Sequence, residues 1–177
     1  MRLSIPLLSC LLASGLLAAC ASTPPPRPTH VTVKVDWTDP AKFTDTRTDQ
    51  CHSAVAPEEW LGQLARYAQA RARNLLKSGQ TLEVTITDIQ RAGQCEPWRG
   101  PRMSQIRMLT TIYPPMIKLH FQLRNADGTI LAQGDRTLTD LAYLDRGVPF
   151  ENNDPLRYEK RLLDDWLRRG VDKPPRR

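Results

Sequence analysis

Three stretches of this chain place an apolar residue at every second position, and a chain patterned this way is committed to a sheet with one dry face. They are Val31, Val33, Val35 and Trp37; Leu82, Val84 and Ile86; and Ile117, Leu119, Phe121 and Leu123. Polar residues fill the alternate positions: Thr32, Lys34 and Asp36, then Glu83, Thr85 and Thr87, then Lys118, His120, Gln122 and Arg124. Successive side chains of a strand point to opposite faces, so each stretch predicts a half-buried strand. The third runs into Asn125-Ala126-Asp127-Gly128, residues that tolerate tight-turn geometry, which predicts a hairpin with a return strand over 129–139. A further short strand is expected over 105–110, with Ile106 and Met108 on one face.

Two segments carry helical periodicity instead. Pro57-Glu58-Glu59 opens the first, because proline suits the first turn and acids face the positive end of the dipole. Its apolar stripe is Trp60 or Leu61, Leu64, Ala68, Ala72 and Leu75, and Lys77-Ser78-Gly79 closes it. Asp154-Pro155 opens the second, with Leu156, Leu163, Trp166 and Leu167 as its stripe and Gly170 at its end. Residues 38–56 and 93–103 read as loops. The expected fold is α+β: a mainly antiparallel sheet of four to five strands with two amphipathic helices packed on one face. A length of 177 residues suits one domain, and no internal repeat points to a solenoid or propeller.

The amino terminus reads as an address. Met1-Arg2 is a positive start, and Leu3 to Ala19 is uncharged and ends in small residues, the pattern of a secretory signal rather than a membrane span. Leu17-Ala18-Ala19-Cys20 resembles the bacterial lipobox at all its positions. That resemblance implies cleavage after Ala19 and lipid attachment to the Cys20 thiol, the one side chain nucleophilic enough near neutral pH. Two or more acyl chains anchor stably where one does not. Ala21 follows, where aspartate would suggest inner-membrane retention, so the implied address is the outer membrane, facing the periplasm. Residues 1–19 thus form a signal peptide and 20–30 a lipidated, proline-rich tether reaching about 30 Å in polyproline geometry. Residues 31–177 form the domain with its basic C-terminal tail. The net charge is +6, and removing the signal takes away Arg2 and no acid. A basic protein held at that membrane meets anionic lipid headgroups and cell-wall polymers, not nucleic acid.

Of the four cysteines, Cys10 leaves with the signal and Cys20 takes lipid. Cys51 and Cys95 remain, each in a long loop, and an oxidising compartment favours a disulfide between them. The alternatives are two free thiols, or a metal site with His52, which lacks the paired spacing of a zinc site. There is no G-x-S-x-G, H-E-x-x-H, C-x-x-C or Walker-type run, so no catalytic residue, metal or cofactor is indicated. His30 falls in the tether, His52 in a loop and His120 on the outward face of a strand.

Three features stand out as candidate binding positions. Asp88 shares the parity of Leu82, Val84 and Ile86, so either it is a buried functional carboxylate or the strand ends or bulges there and Asp88 caps the following turn. Trp98, between Glu96-Pro97 and Arg99-Gly100-Pro101-Arg102, either folds back over the core or contacts a partner. The tail 168–177 holds five basic residues against Asp172 and either lies on anionic lipid or is solvated. Asp140 joins Asp88 as a candidate carboxylate pair for a hydrolase reading.

Several segments together resemble a bacterial family known as domain of unknown function 3016. They include Val33-Lys34-Val35-Asp36-Trp37, the helix from Trp60 to Leu76 with Gly79-Gln80-Thr81-Leu82, Thr85-Ile86-Thr87-Asp88-Ile89 and Ala92-Gly93. Ile106-Arg107-Met108, Tyr113-Pro114-Pro115, Leu138-Thr139-Asp140 and the final helix through Trp166 continue it. The resemblance implies a small secreted or lipid-anchored proteobacterial protein and supplies no activity, ligand or catalytic residue. The expected function is a non-catalytic envelope module that binds a protein or anionic cell-wall polymer. The alternatives are a carboxylate hydrolase and a structural envelope-stability protein.

Overall fold

The three alternating segments become strands β1 (Thr32–Trp37), β2 (Thr81–Gln90) and β3 (Met116–Arg124), and the hairpin's return strand is β4 (Ile130–Thr139). The computed structural model describes residues 30–49, 51, 55–146 and 153–173. The expected signal peptide, the expected lipidation position Cys20 and tether up to Thr29, His52 and the tail from Pro174 lie outside these residues. Strand order in the sheet is β1-β2-β3-β4. The β3–β4 hairpin closes through the expected turn, in which Asn125 and Gly128 make the turn's backbone hydrogen bonds.

The sheet is mixed, not mainly antiparallel. β1 and β2 pair in parallel, from Thr32 opposite Thr81 to Trp37 opposite Ile86. The cause is the helix between them: two sequential strands joined by a crossover helix run the same way, whereas a tight turn reverses the chain. A fifth strand is absent from the described residues. The segment around Ile106 makes a single bridge, Gln94 to Met108, because the prolines and glycine of residues 97–101 hold it away from the sheet.

There are three helices rather than two: α1 (Thr44–Thr48), α2 (Pro57–Leu75) and α3 (Arg157–Arg169). α1 lies in the stretch that reads as loop, too short and polar to show a period. α2 begins at Pro57 as expected, but Leu75 is exposed and Leu76 packs against the core instead. α3 starts later than Asp154. That carboxylate accepts the Leu156 N–H, forming a turn ahead of the helix. Lys160 sits over the Tyr67 ring and Arg71 binds Asp164 at 2.6 Å. Equal steps along both helices show that α2 and α3 run parallel, side by side.

One hydrophobic cluster joins Val33, Val35, Leu82, Val84, Ile86, Ile117, Leu119 and Phe121 to Leu61, Leu64 and Ala68 of α2 and Leu163, Trp166 and Leu167 of α3. Trp166 meets Phe121 edge-on at 5.7 Å, the geometry that aromatic quadrupoles prefer. The alternate strand positions, among them Lys34, His120 and Gln133, form a wetted polar face.

The topology separates the two ends of the sheet. Trp37, Gln90, Met116 and Thr139 mark one end, as the strand registers show. From that end leave all three long connections: 38–56, 91–115 and 140–156. Among the described residues, the other end holds the short connections 76–80 and 125–129, and there Thr32 enters the sheet. No helix among the described residues is long and apolar enough to cross a membrane.

Candidate functional site

The three long connections pin one another into a single structure, built around the residues that follow β2. A register shift between Ile86 and Asp88 turns Asp88 away from the core and puts Ile89 in the inward position. Asp88 then accepts the Thr44 N–H at 2.7 Å, the Thr44 hydroxyl at 2.9 Å and Lys118 Nζ at 3.2 Å, holding the start of α1. Burial pushes the Asp88 carboxyl up, but the hydrogen bonds from Thr44 and Lys118 outweigh it and hold the group below its ordinary range. The bulge reading is therefore correct, and Asp88 is a structural tie.

Four charges come next. Arg91 donates from Nε to Asp45 at 2.7 Å and from Nη2 to Asp49 at 3.2 Å, while its guanidinium lies 4.7 Å from the centre of the Trp60 ring. Arg107 reaches Asp49 at 2.6 Å and the Gly93 carbonyl at 2.8 Å. Gly93 itself has φ +78, and a Cβ there would stand 2.7 Å from the Met108 carbonyl oxygen and 2.8 Å from Leu109 Cδ2. Only glycine fits this turn, which explains the Ala92-Gly93 pair. Behind it, Glu159 of α3 accepts the Ala92 N–H at 2.6 Å.

Cys51 and Cys95 are bonded, S–S 2.06 Å, tying the segment before α2 to this turn. Asp49, Cys51 and Cys95 place their oxygen and sulfur atoms within 4.8 Å of one another, which satisfies the spacing of a metal site. The donor set does not suit a cation: both sulfurs are in a disulfide rather than thiolates, and Asp49 already receives two guanidiniums.

From Cys95 the chain rises into an exposed platform. Glu96 is buried and accepts the Tyr113 hydroxyl at 3.0 Å and a bond from Arg99. The hydrogen bond to Glu96, more than burial, pushes the Tyr113 phenol up. Two 3-10 turns follow, Pro97–Arg99 and Pro101–Ser104, each opened by proline and separated by Gly100 at φ +135. Trp98 stands on the first turn with 62% of its surface exposed. Of the two readings open from sequence, the residue does not fold back over the core. Arg102 is exposed on the second turn, with no carboxylate of the described residues paired to it.

The third connection closes the arrangement. Tyr143 is buried, packs edge-on against Tyr158 at 4.8 Å and donates to the Thr110 carbonyl. Arg161 binds Asp140 at 3.0 Å and the carbonyls of Tyr143 and Arg146. Asp140 thus closes its own loop, and it shares no partner with Asp88. Around these anchors the same end exposes Ile106, Ile112 at 70%, Leu141 at 71% and Leu144.

The structure thus groups Trp98, Arg99 and Arg102 on one platform, with the disulfide beneath. It does not join Asp88 and Asp140 into a carboxylate pair. His120 and Asp135, 2.9 Å apart, lie exposed on the polar sheet face, where water surrounds them. The sequence reading missed Asp45, Asp49, Arg91, Arg107 and Glu159. Only Glu159 left a signal: it lies three residues after Leu156 and four before Leu163, a carboxylate on the apolar stripe. Residues 31–169 match the model of a family described as a protein of unknown function, DUF3016. No curated protein and no solved structure matches the chain.

Proposed function

Since the chain belongs to the DUF3016 family, whose description carries no activity, we propose from its own surfaces that it is a non-catalytic binding module of the cell envelope. Lipid at Cys20 holds it to the outer membrane on the periplasmic side, and the loop end of its sheet engages an envelope partner. The observation that carries this reading is Trp98: a largely exposed tryptophan on a platform fixed by a disulfide, a buried glutamate and two prolines. An aromatic anchor already ordered before binding loses little entropy on contact, and tryptophan and arginine dominate interface energetics. Thr32 enters the sheet at the opposite end, so a tether at residues 20–30 leaves the loop end directed away from its own anchor. The hydrolase alternative draws no support from Asp88 and Asp140, each closed into a separate network.

A photo-reactive residue in place of Ile106, in the full chain in its own cells, tests the surface. The expected result is an adduct with an envelope component that falls about tenfold when Trp98→Ala is added, a typical hot-spot loss. Equal adducts with and without Trp98, or none, would refute the surface. For the anchor, Cys20→Ser is expected to abolish incorporation of labelled fatty acid and release the protein from membranes. Unchanged membrane attachment would exclude lipid at Cys20.

A further inference from the structure

Among the described residues, Glu159 is the one buried charge-bearing group of the loop end without a charge partner. It is 0% exposed, its Oε1 accepts the Ala92 N–H at 2.6 Å, and its Oε2 has no hydrogen-bond partner among the described residues. A buried carboxylate in that position is tolerated as an ion only if a cation answers it. The groups that face it from each neighbouring element supply none. Arg91, from the turn after β2, is held by Asp45 and Asp49 of the α1 connection, and Arg107 by Asp49 and the Gly93 carbonyl. Those two guanidiniums and two carboxylates already balance. On its own helix Arg161 is committed to Asp140 and two carbonyls, Lys160 to Asp154, and Arg157 to the Asp154 carbonyl and the Tyr158 ring. Tyr143, from the 140–146 segment, is a neutral phenol pushed up to about 12, chiefly by burial. α2 contributes Trp60, which has no charge.

We propose that Glu159 is a proton latch for the loop end: with its proton the carboxyl closes the turn beneath Trp98, and without it the turn opens. This deepens the binding reading above and takes its functional meaning from it. The mechanical link is short. Ala92 is followed by Gly93, whose N–H and carbonyl bind the Tyr113 carbonyl and Arg107, and then by Cys95, Glu96 and Trp98. An ionised Glu159 places three carboxylates against two guanidiniums. It must then draw Arg91 from Asp45 and Asp49 or admit water, and either change disturbs the Ala92 contact.

The direction follows from linkage. Burial, the largest influence, pushes the Glu159 carboxyl up; the Ala92 N–H, its own backbone N–H and Arg91 pull it back, and Asp45 pushes it further up. The closed state therefore binds the proton more tightly than the open one. Its stabilisation is complete below the ordinary glutamate range and is lost as pH rises through the Glu159 value. Acidification closes the latch and alkalinisation opens it.

The test uses the full chain with carboxyl-labelled glutamate, titrated by NMR, together with amide exchange corrected for intrinsic rates at each pH. Glu159 is expected to titrate above the ordinary glutamate range, and protection over residues 91–96 to fall at least tenfold as it does so. Glu159→Gln keeps the oxygen that Ala92 needs and is expected to show constant protection. The latch is overturned if Glu159 titrates within the ordinary glutamate range, or if wild type and Glu159→Gln follow one pH profile. Should Glu159→Gln not fold, the wild-type titration decides alone. Crosslinking with Trp98→Ala at fixed pH reads the surface separately: a pH-insensitive turn with Trp98-dependent crosslinking defeats the latch alone. A working latch with Trp98-independent crosslinking defeats the surface alone.

Discussion

Arg91→Ala is expected to destabilise the fold by about 3 kcal/mol, near the lower end for breaking a buried ion pair by removing one partner. The loss arises at Asp45, which is almost fully buried and depends on Arg91 for both Nε and the backbone N–H. The variant keeps that backbone donor and Arg107 at 3.6 Å, so the carboxylate is not wholly abandoned. It also removes the guanidinium from the Trp60 ring, a further contribution of about 0.5–1 kcal/mol at partly exposed sites. For a domain of this size each kcal/mol corresponds to roughly 2–4 °C, so a Tm lower by about 10 °C is the readout. Asp45→Asn in the same chain removes the stranded charge and should recover part of the loss, giving a measurable coupling energy. A Tm within 2 °C of wild type would mean that water reaches the network and that the loop end is not held by it.

That network also marks the limit of what the sequence makes legible. Period-two alternation placed β1, β2 and β3 because it is a local property, decided by which face each side chain must bury, and β4 followed as the return strand of the hairpin. The turn at Asn125 to Gly128 is local too. Pairing direction is not: β1 lies parallel to β2 because α2 intervenes, and nothing in Val33-Lys34-Val35 itself states this. Asp88 was legible as a conflict between parity and polarity, and the bulge resolved it. Asp45 and Arg91 lie 46 positions apart, Asp49 and Arg107 58, and Glu159 and Ala92 67. Charged side chains carry no periodic sign of their partner, so a carboxylate in a polar loop looks solvated until the fold brings an arginine to it. Trp98 shows the opposite limit: its exposure follows from Pro97, Gly100 and Pro101, which keep the platform rigid and short, whereas hydrophobicity alone argues for burial.

Removing the disulfide, by Cys51→Ser with Cys95→Ala or by reducing the wild type, is expected to cost about 4 kcal/mol for a loop of 44 residues in the chain-entropy account. The pair should appear as two missing hydrogens in the non-reduced intact mass. The native loop end has other ties across the same joint: Asp45 and Asp49 to Arg91, Thr44 to Asp88, and Gln94 to the Thr48 carbonyl at 2.5 Å. Those ties do not diminish the effect, because the disulfide acts chiefly by restricting the unfolded chain. The site should therefore stay assembled without it, with Trp98-dependent crosslinking unchanged at 25 °C while Tm falls by 8–16 °C, roughly 2–4 °C per kcal/mol. Equal melting of oxidised and reduced protein would show that the unfolded chain is already constrained. Since Arg91→Ala weakens the native state and disulfide loss frees the unfolded one, the two costs should add to about 7 kcal/mol. Against a typical stability of about 5–15 kcal/mol, the combined variant would stand at the edge of folding, where either change alone would not.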